Sequence, residues 1–534
     1  MKKHLVLGLL TLVLFSACMR KTSVDKDLSI FKYNESAGIL TLDPIYAKDL
    51  PHIWVCNQLF NSLVAFDDKM NIVPMIAKSW DISNDGKRYT FYLRDDVQFH
   101  HDTCFENPRY VKAEDFVYSF NRVIDKSLNS PGMWIFSPVK HDDEHYAFEA
   151  INDTTLQIEL TKPFPPFMGI LSMTYASVVP REAVEYYGDD FRRHPVGTGP
   201  FKFQYWKENV KLVFRKNPDY FERDEAGERL PYLDAVSVSF LIDKQVAFLE
   251  FIKGKFDFMS GIDARYKDEL LTYDGQLRRK YEDKIEMITE PYLNTEYISF
   301  YIDPADSLGV VRSRALRQAV NYSIDREKML RYLRNGIGEP GTGGIIPAGL
   351  PGHSATIGYD YDLKKAQRLV ADNHLEGYPL HLSTVADYAD IGKFVQSQVE
   401  QTGLQCTMEV IPPATMRSMR ANGSLSFYRS SWVADYPDAE NYLSLFTTAN
   451  FSPVGPNYTH YTNSKYDRLY DKAMLCNDLQ ERASYYTEMD SLMMQDAPVV
   501  ILFYDEVLRF VNKRVKGLGS NPINLLDLRK VQVE

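Results

Sequence analysis

Pro195–Phe201 reads PVGTGPF, with Trp206 and then Asn217–Tyr220 (NPDY) behind it. Just downstream, apolar residues fall at every second position, Leu212/Phe214 and Val236/Val238/Phe240. That is the period of a strand with one buried face. The same period appears upstream at Tyr89/Phe91/Leu93 and Leu156/Ile158/Leu160. Helical spacing lies further along. Ala315, Leu316, Ala319 and Val320 share one face, and Asp325 is placed to cap a helix over Arg326–Arg334. Ile391–Gln401, Tyr466–Cys476 and Leu479–Met494 also read as helices. The last ends before Pro498, and Val499–Tyr504 then reads as a continuous apolar strand, as does Tyr297–Ile302. Strands and helices mix throughout, which makes the class α/β or α+β. There are no internal repeats and no low-complexity segment.

Composition narrows the function classes. The chain has 534 residues, 45% hydrophobic and 25% charged, with 61 Lys+Arg against 72 Asp+Glu and a net charge of −11. These values describe an ordinary globular chain of about three to four domain-sized units. They also exclude a nucleic-acid binder, which needs a dense basic face. The first residues read as an address. Met1-Lys2-Lys3-His4 precede an apolar run from Leu5 to Phe15, then Ser16-Ala17-Cys18. The run is too short to span a bilayer, which takes about 20 residues, and it has the shape of a secretory signal. Ser16-Ala17-Cys18 resembles a bacterial lipobox, in which Cys18 is acylated and becomes the new N-terminus. On that reading 1–17 is the signal peptide, 18–26 a lipid-anchored tether, and lipid the sole membrane attachment. Cys56, Cys104, Cys406 and Cys476 remain. None lies in a CxxC pair, so they read as small buried hydrophobes in preference to a disulfide framework.

Enzyme motifs are weak. Glu339–Gly352 (EPGTGGIIPAGLPG) lacks the Gly-Lys-Ser/Thr of a phosphate cradle and reads as a structural loop. His141, Glu144 and His145 match the HxxEH pattern of a zinc hydrolase, which needs both imidazoles on one helical face. The segment follows Pro138 and leads into a strand pattern, so a solvated loop is expected there. His100-His101-Asp102-Thr103-Cys104 lacks ligand spacing, and no GxSxG occurs. No catalytic residue, metal site or cofactor is expected.

Several strings in order resemble extracellular solute-binding protein family 5, the peptide-, nickel- and haem-type receptors of ABC importers. They are Ile76–Phe99 (IAKSWDISNDGKRYTFYLRDDVQF), Lys112–Arg122 (KAEDFVYSFNR), PVGTGPF with Trp206 and Asn217–Tyr220, Val310–Arg326 (VVRSRALRQAVNYSIDR) and Ala497–Tyr504 (APVVILFY). The resemblance implies an α/β two-lobed periplasmic-binding-protein fold (type II, cluster C) with an extra subdomain in the N-terminal lobe. Lobe I would comprise 27–61, 189–292 and 506–534, the extra subdomain 62–188, and lobe II 293–505. It implies a monomeric binding lipoprotein in the periplasm or cell envelope. That protein captures short peptides in extended form and passes them to a permease and ATPase.

Within the resemblance, Ser424–Asn441 (SLSFYRSSWVADYPDAEN) is the informative segment. Oligopeptide-binding members have Arg, Trp and Asp at the spacing of Arg429, Trp432 and Asp435. The resemblance implies that Asp435 pairs with the ligand's α-amino group. Ser431, Trp432 and Val433 would offer backbone groups, and Arg429 is a candidate partner for a terminal carboxylate. Lys48, Asp49 and Leu50 fall in a loop that supplies further backbone contacts in the family. Read alone, Asp435-Tyr436-Pro437-Asp438 is a turn, Trp432 core and Arg429 a surface charge. The sequence departs from the oligopeptide members at Gly132, where they carry a ligand-facing Tyr, and at Ser426, where Asp is common. Those departures leave a metal chelate, haem or another small solute as alternative ligands. A third alternative is a sensor or chaperone without a permease.

Overall fold

The computed structural model describes residues 28–142, 145–261, 263, 265–302, 311 and 313–534. The signal peptide, Cys18 and the tether lie outside the described residues, as does Glu144. The frame is an eleven-stranded mixed sheet. Its order runs Gln405–Val410, Pro379–Thr384, Phe427–Val433, Ile285–Phe300, Val499–Asn512, Phe258–Ser260, Ile30–Asn34, Ala235–Ser239, Lys211–Lys216, Phe201–Lys207, with Glu339–Pro340 attached to Val499–Asn512. A separate four-stranded antiparallel sheet, Ala77–Ile82, Arg88–Leu93, Thr155–Glu159 and Phe148–Asn152, packs with the helix Ala113–Ile124.

Two strands join the halves of the large sheet. Ile285–Phe300 and Val499–Asn512 run antiparallel over their whole length, but their register breaks near the middle, first between Pro291 and Thr295 and again between Glu296 and Tyr297. Pro291 faces Glu506 and Thr295 faces Tyr504, so Tyr292–Asn294 have Asp505 alone across from them. On one side of the break the pair is flanked by Phe258–Ser260, and on the other by Phe427–Val433. The break is a bulge, where the ladder loosens and the strands bend. Arg334 Nη2 holds Asp505 Oδ1 at 2.5 Å, and Asn294 Nδ2 donates to Asp505 Oδ2 at 3.4 Å.

The PVGTGPF loop has a packing explanation. A β-carbon on Gly197 or Gly199 would run into the Leu59 backbone. Only glycine lets this loop lie against the end of the helix Leu50–Leu59, where Gly199 N donates to Leu59 O at 2.9 Å. His100, buried behind the loop, donates from its backbone N to Gly197 O at 2.7 Å. Its imidazole pKa is pushed down to about 4 by burial.

That helix is apolar on most of its surface and is packed on several sides. His52, Trp54, Val55, Cys56, Gln58 and Leu59 are buried. Leu50, Ile53 and Asn57, at 3–4 spacing, face a cavity. Asp49 caps the helix, accepting from His52 N at 3.3 Å. Among the described residues no helix is long and apolar enough to cross a membrane.

Candidate functional site

A cavity of about 470 Å³ lies between the two halves. One wall is Ala47–Leu50, Ile53 and Asn57, with Tyr175 beside them; the other is Val433, Ala434 and Asp435. Tyr292, at the register break, and Arg529, from the C-terminal segment, complete it. The volume falls in the range of small-molecule sites. Of the sequence-derived candidates, the cavity brings together Asp49, Leu50, Val433 and Asp435. Ser431, Trp432 and Arg429 do not line it.

Asp435 is open toward the cavity and crowded by protein on its other sides, and this burial pushes its carboxyl pKa up. Its one side-chain partner is Asn441, whose Nδ2 donates to Oδ2 at 3.4 Å. No Lys or Arg among the described residues forms an ion pair with it. A carboxylate that opens into a cavity and has no cation beside it is available to a ligand's ammonium group. Asn441 fixes the position, because its Oδ1 accepts from Asp435 N at 3.1 Å and from Trp432 Nε1 at 2.8 Å. Trp432 itself packs in the core of its lobe. Its part in the site is therefore to hold Asn441, and through it Asp435.

The strand Phe427–Val433 leads toward Asp435. One edge pairs along its full length with Ile285–Phe300. The other pairs with Pro379–Thr384 only at Phe427 and Tyr428. The edge from Arg429 to Val433 is thus without a strand partner among the described residues, which is the geometry that accepts an added strand. Arg429, Ser431 and Val433 share one face of the strand by alternation.

Arg429 meets a carboxylate, but that carboxylate belongs to the chain. Its Nη2 donates to Glu296 Oε1 at 2.9 Å and Oε2 at 2.6 Å. The Tyr388 ring lies 3.7 Å from the guanidinium carbon, and its hydroxyl donates to Glu296 Oε1 at 3.2 Å. Burial pushes the Glu296 carboxyl up, while the Arg429 charge works against that rise. Arg429, the candidate partner for a ligand carboxylate, is thus paired within the chain. The reason is that Ile285–Phe300 places Glu296 opposite Ser431, diagonal to Arg429.

Asp49 lies at the other wall. Burial works to raise its carboxyl, but the hydrogen bonds of His52 outweigh that, with Nδ1 2.5 Å from Oδ1, and hold it below the usual range. Tyr175 was not foreseen. A β-carbon at Gly132 would sit 2.5 Å from the Tyr175 ring. The space next to position 132 is therefore filled by an aromatic ring arriving from elsewhere in the chain. Asn441 and Glu296 were missed as well. Asn441 ends the segment quoted for the site and carried a readable signal; Glu296 and Tyr175 carried none in the local sequence.

His141 bridges Tyr146 in antiparallel register and stacks on it at 4.5 Å, and His145 N donates to Asp142 Oδ1 at 2.8 Å, so the segment is a β-type hairpin pairing and not a helix. A hairpin does not give the two imidazoles the shared helical face that HxxEH zinc chemistry needs. Among the described residues no group of three or more His, Cys, Asp or Glu is arranged to hold a metal ion.

Residues 71–453, well over half of the chain, match the bacterial extracellular solute-binding proteins, family 5 (middle). The chain belongs to this family. Family 5 relatives cover nearly all of it. The dipeptide-binding protein of Escherichia coli K12 is 25% identical over 510 residues, 89% of each chain. A glutathione-binding protein, GsiB, of Shigella dysenteriae is 25% identical over 504 residues, 91% of each. Among solved structures, the periplasmic binding protein DppA of Helicobacter pylori, in complex with the peptide STSA, superposes with a TM-score of 0.76 at 24% identity. That match covers 95% of this chain and 98% of DppA. The two-lobed α/β fold of these periplasmic binding proteins is the fold of this chain, and such relatives are binding proteins and not enzymes.

Proposed function

We propose that this chain is the substrate-binding lipoprotein of an ABC importer, capturing short peptides in extended form between its lobes and delivering them to a membrane permease. The observation that carries the reading is Asp435, a crowded carboxylate with no cation partner among the described residues, lining a cavity between the lobes. The open strand edge beside it supports the reading. A peptide backbone presents the same N–H and C=O pattern whatever its side chains, and each bond contributes about 1 kcal/mol net. The ammonium–Asp435 pair sets the register along that edge. The hinge is the register break, with lobe boundaries near 292/293 and 505/506, and closing about it is the signal to the permease. Cys18 carries the lipid that keeps the protein at the cell envelope, and it works as a monomer.

Calorimetry with tri- to pentapeptides tests this. Asp435→Ala is expected to weaken binding by at least about 30-fold, or about 2 kcal/mol. Acetylating the peptide's amino end should cost a similar factor. Unchanged affinity in either case removes the amine anchor. Mass spectrometry of whatever co-purifies with residues 19–534 identifies the natural ligand.

A further inference from the structure

A peptide lying along the strand edge with its amine at Asp435 runs from Val433 past Ser431 toward Arg429. The far end of that path is already occupied by charge. Glu296 is 1% exposed and takes three donors: Arg429 Nη2, the Tyr388 hydroxyl and, at 3.3 Å, Asn294 Nδ2. A ligand carboxylate that drew Arg429 away would leave Glu296 buried and uncompensated. Breaking a buried pair in that way costs on the order of a hundredfold or more in an equilibrium constant.

Two cations line the cavity itself, Lys48 and Arg529. Arg529 is gripped by Asp527 at 2.6 Å and Glu222 at 2.6 Å. Lys48 sits beside Asp49. Five aspartates (49, 67, 68, 435 and 527) line the cavity with those two cations. The balance favours a positive ligand end and disfavours a negative one.

We propose that Glu296 determines which ligands the site accepts. By supplying Arg429 with a carboxylate from within the chain, it makes the far end of the groove neutral. Ligands are then held by a free amino group at Asp435 and need no free carboxylate. The class is peptides recognised by their amino end alone, including those whose carboxyl end is amidated, conjugated or continues into a longer chain. This inference rests on the peptide reading above.

The test is calorimetry with tri- and tetra-alanine, each as free acid and as C-terminal amide. The wild-type chain is expected to bind acid and amide within about threefold of each other. Glu296→Gln leaves Arg429 a charged donor with a neutral neighbour, and should favour the acid by about tenfold or more. The double variant Glu296→Gln/Arg429→Gln should lose that preference. A wild-type preference for the acid of about tenfold overturns the inference while leaving the peptide reading intact. So does its removal by Lys48→Gln, which would assign the carboxylate to Lys48, or an acid-to-amide ratio unchanged in Glu296→Gln. If Glu296→Gln does not fold, the wild-type ratio decides alone. If neither form binds the wild-type chain at all, the peptide reading itself fails and takes this inference with it.

Discussion

At the scale of single residues, the site is a problem of charge left incomplete. Asp435 is crowded enough to hold its proton more tightly than an ordinary carboxyl, whose pKa is 3.8. An ammonium can pair only with the ionised form. Peptide affinity should therefore be flat near neutrality and fall as pH drops toward the raised Asp435 pKa, so that the acid limb begins above the ordinary carboxylate range. On the alkaline side affinity should fall once the peptide's own amine loses its proton, at about pH 8. Binding on the acid limb must release a proton. Calorimetry in two buffers of different ionisation enthalpy, from pH 7 down through the ordinary carboxylate range, reads that release directly. A flat affinity with no proton release over that range would mean that Asp435 is not the group being paired.

At the scale of elements, most of the chain was legible from periodicity, and the failures have physical causes. Helices expected over Ile391–Gln401, Tyr466–Cys476 and Leu479–Met494 are found at Ala389–Glu400, Ser464–Leu475 and Leu479–Asp496. The two crossing strands were each read at half length. In Ile285–Phe300, Pro291 looks like a breaker, and it is tolerated because the ladder slips just after it. In Val499–Asn512, Asp505 and Glu506 interrupt the apolar run at the same level. The feature that bends the sheet is thus the one that hid its continuity. Pairs such as Glu296–Arg429 and Gly132–Tyr175 stayed hidden because neither partner's local pattern depends on the other. The second pair gives a clean test of how elements far apart in the chain set the cavity wall. Gly132→Ala puts a β-carbon 2.5 Å from two carbons of the Tyr175 ring and 3.0 Å from its β-carbon. The ring must move or the turn must shift, at about 1–3 kcal/mol for such overpacking. Urea unfolding should show that loss, and peptide affinity should fall with it, because Tyr175 lines the site. Full stability in Gly132→Ala would mean that the ring has free space to retreat into.

At the scale of the whole molecule, stability rests in part on two buried acids, and one of them lies beside the contact between lobes. Tyr436 packs with the core of the N-terminal lobe, with Trp134 6.4 Å away, although its chain neighbours belong to the other lobe. Its hydroxyl donates to Glu440, as does that of Tyr470. Burial lifts Glu440 to about 7, against those hydrogen bonds, from an ordinary 4.5. Asp490, buried under the backbone N–H groups of Ile345 and Ile346, is lifted from 3.8 to about 7 by the same cause. Both shifts have one sign. From about pH 4.5 upward the unfolded chain has released these protons while the folded chain still holds them. The stability these two acids contribute must therefore fall as pH rises toward 7, by at most about 1.4 kcal/mol per pH unit for each group. Asp263, held at about 2, acts below this window, whereas His100, pushed down to about 4 by burial, acts within it with the opposite sign, so that one imidazole opposes two acids up to about pH 6.5. Urea midpoints at pH 5, 6, 7 and 8 should decline steadily in the wild-type chain. Glu440→Gln keeps one hydrogen-bond acceptor and cannot ionise, so it should lose stability at pH 5, where the acid is already neutral. Its slope across the window should also be shallower than that of the wild type. Asp490→Asn should flatten the slope by a further share, because the two groups lie on separate elements and titrate through separate contacts. A wild-type profile that is flat from pH 5 to 7, or a slope unchanged in both variants, would show that these acids ionise within the fold, and the contact at Tyr436 would then rest on a charged Glu440.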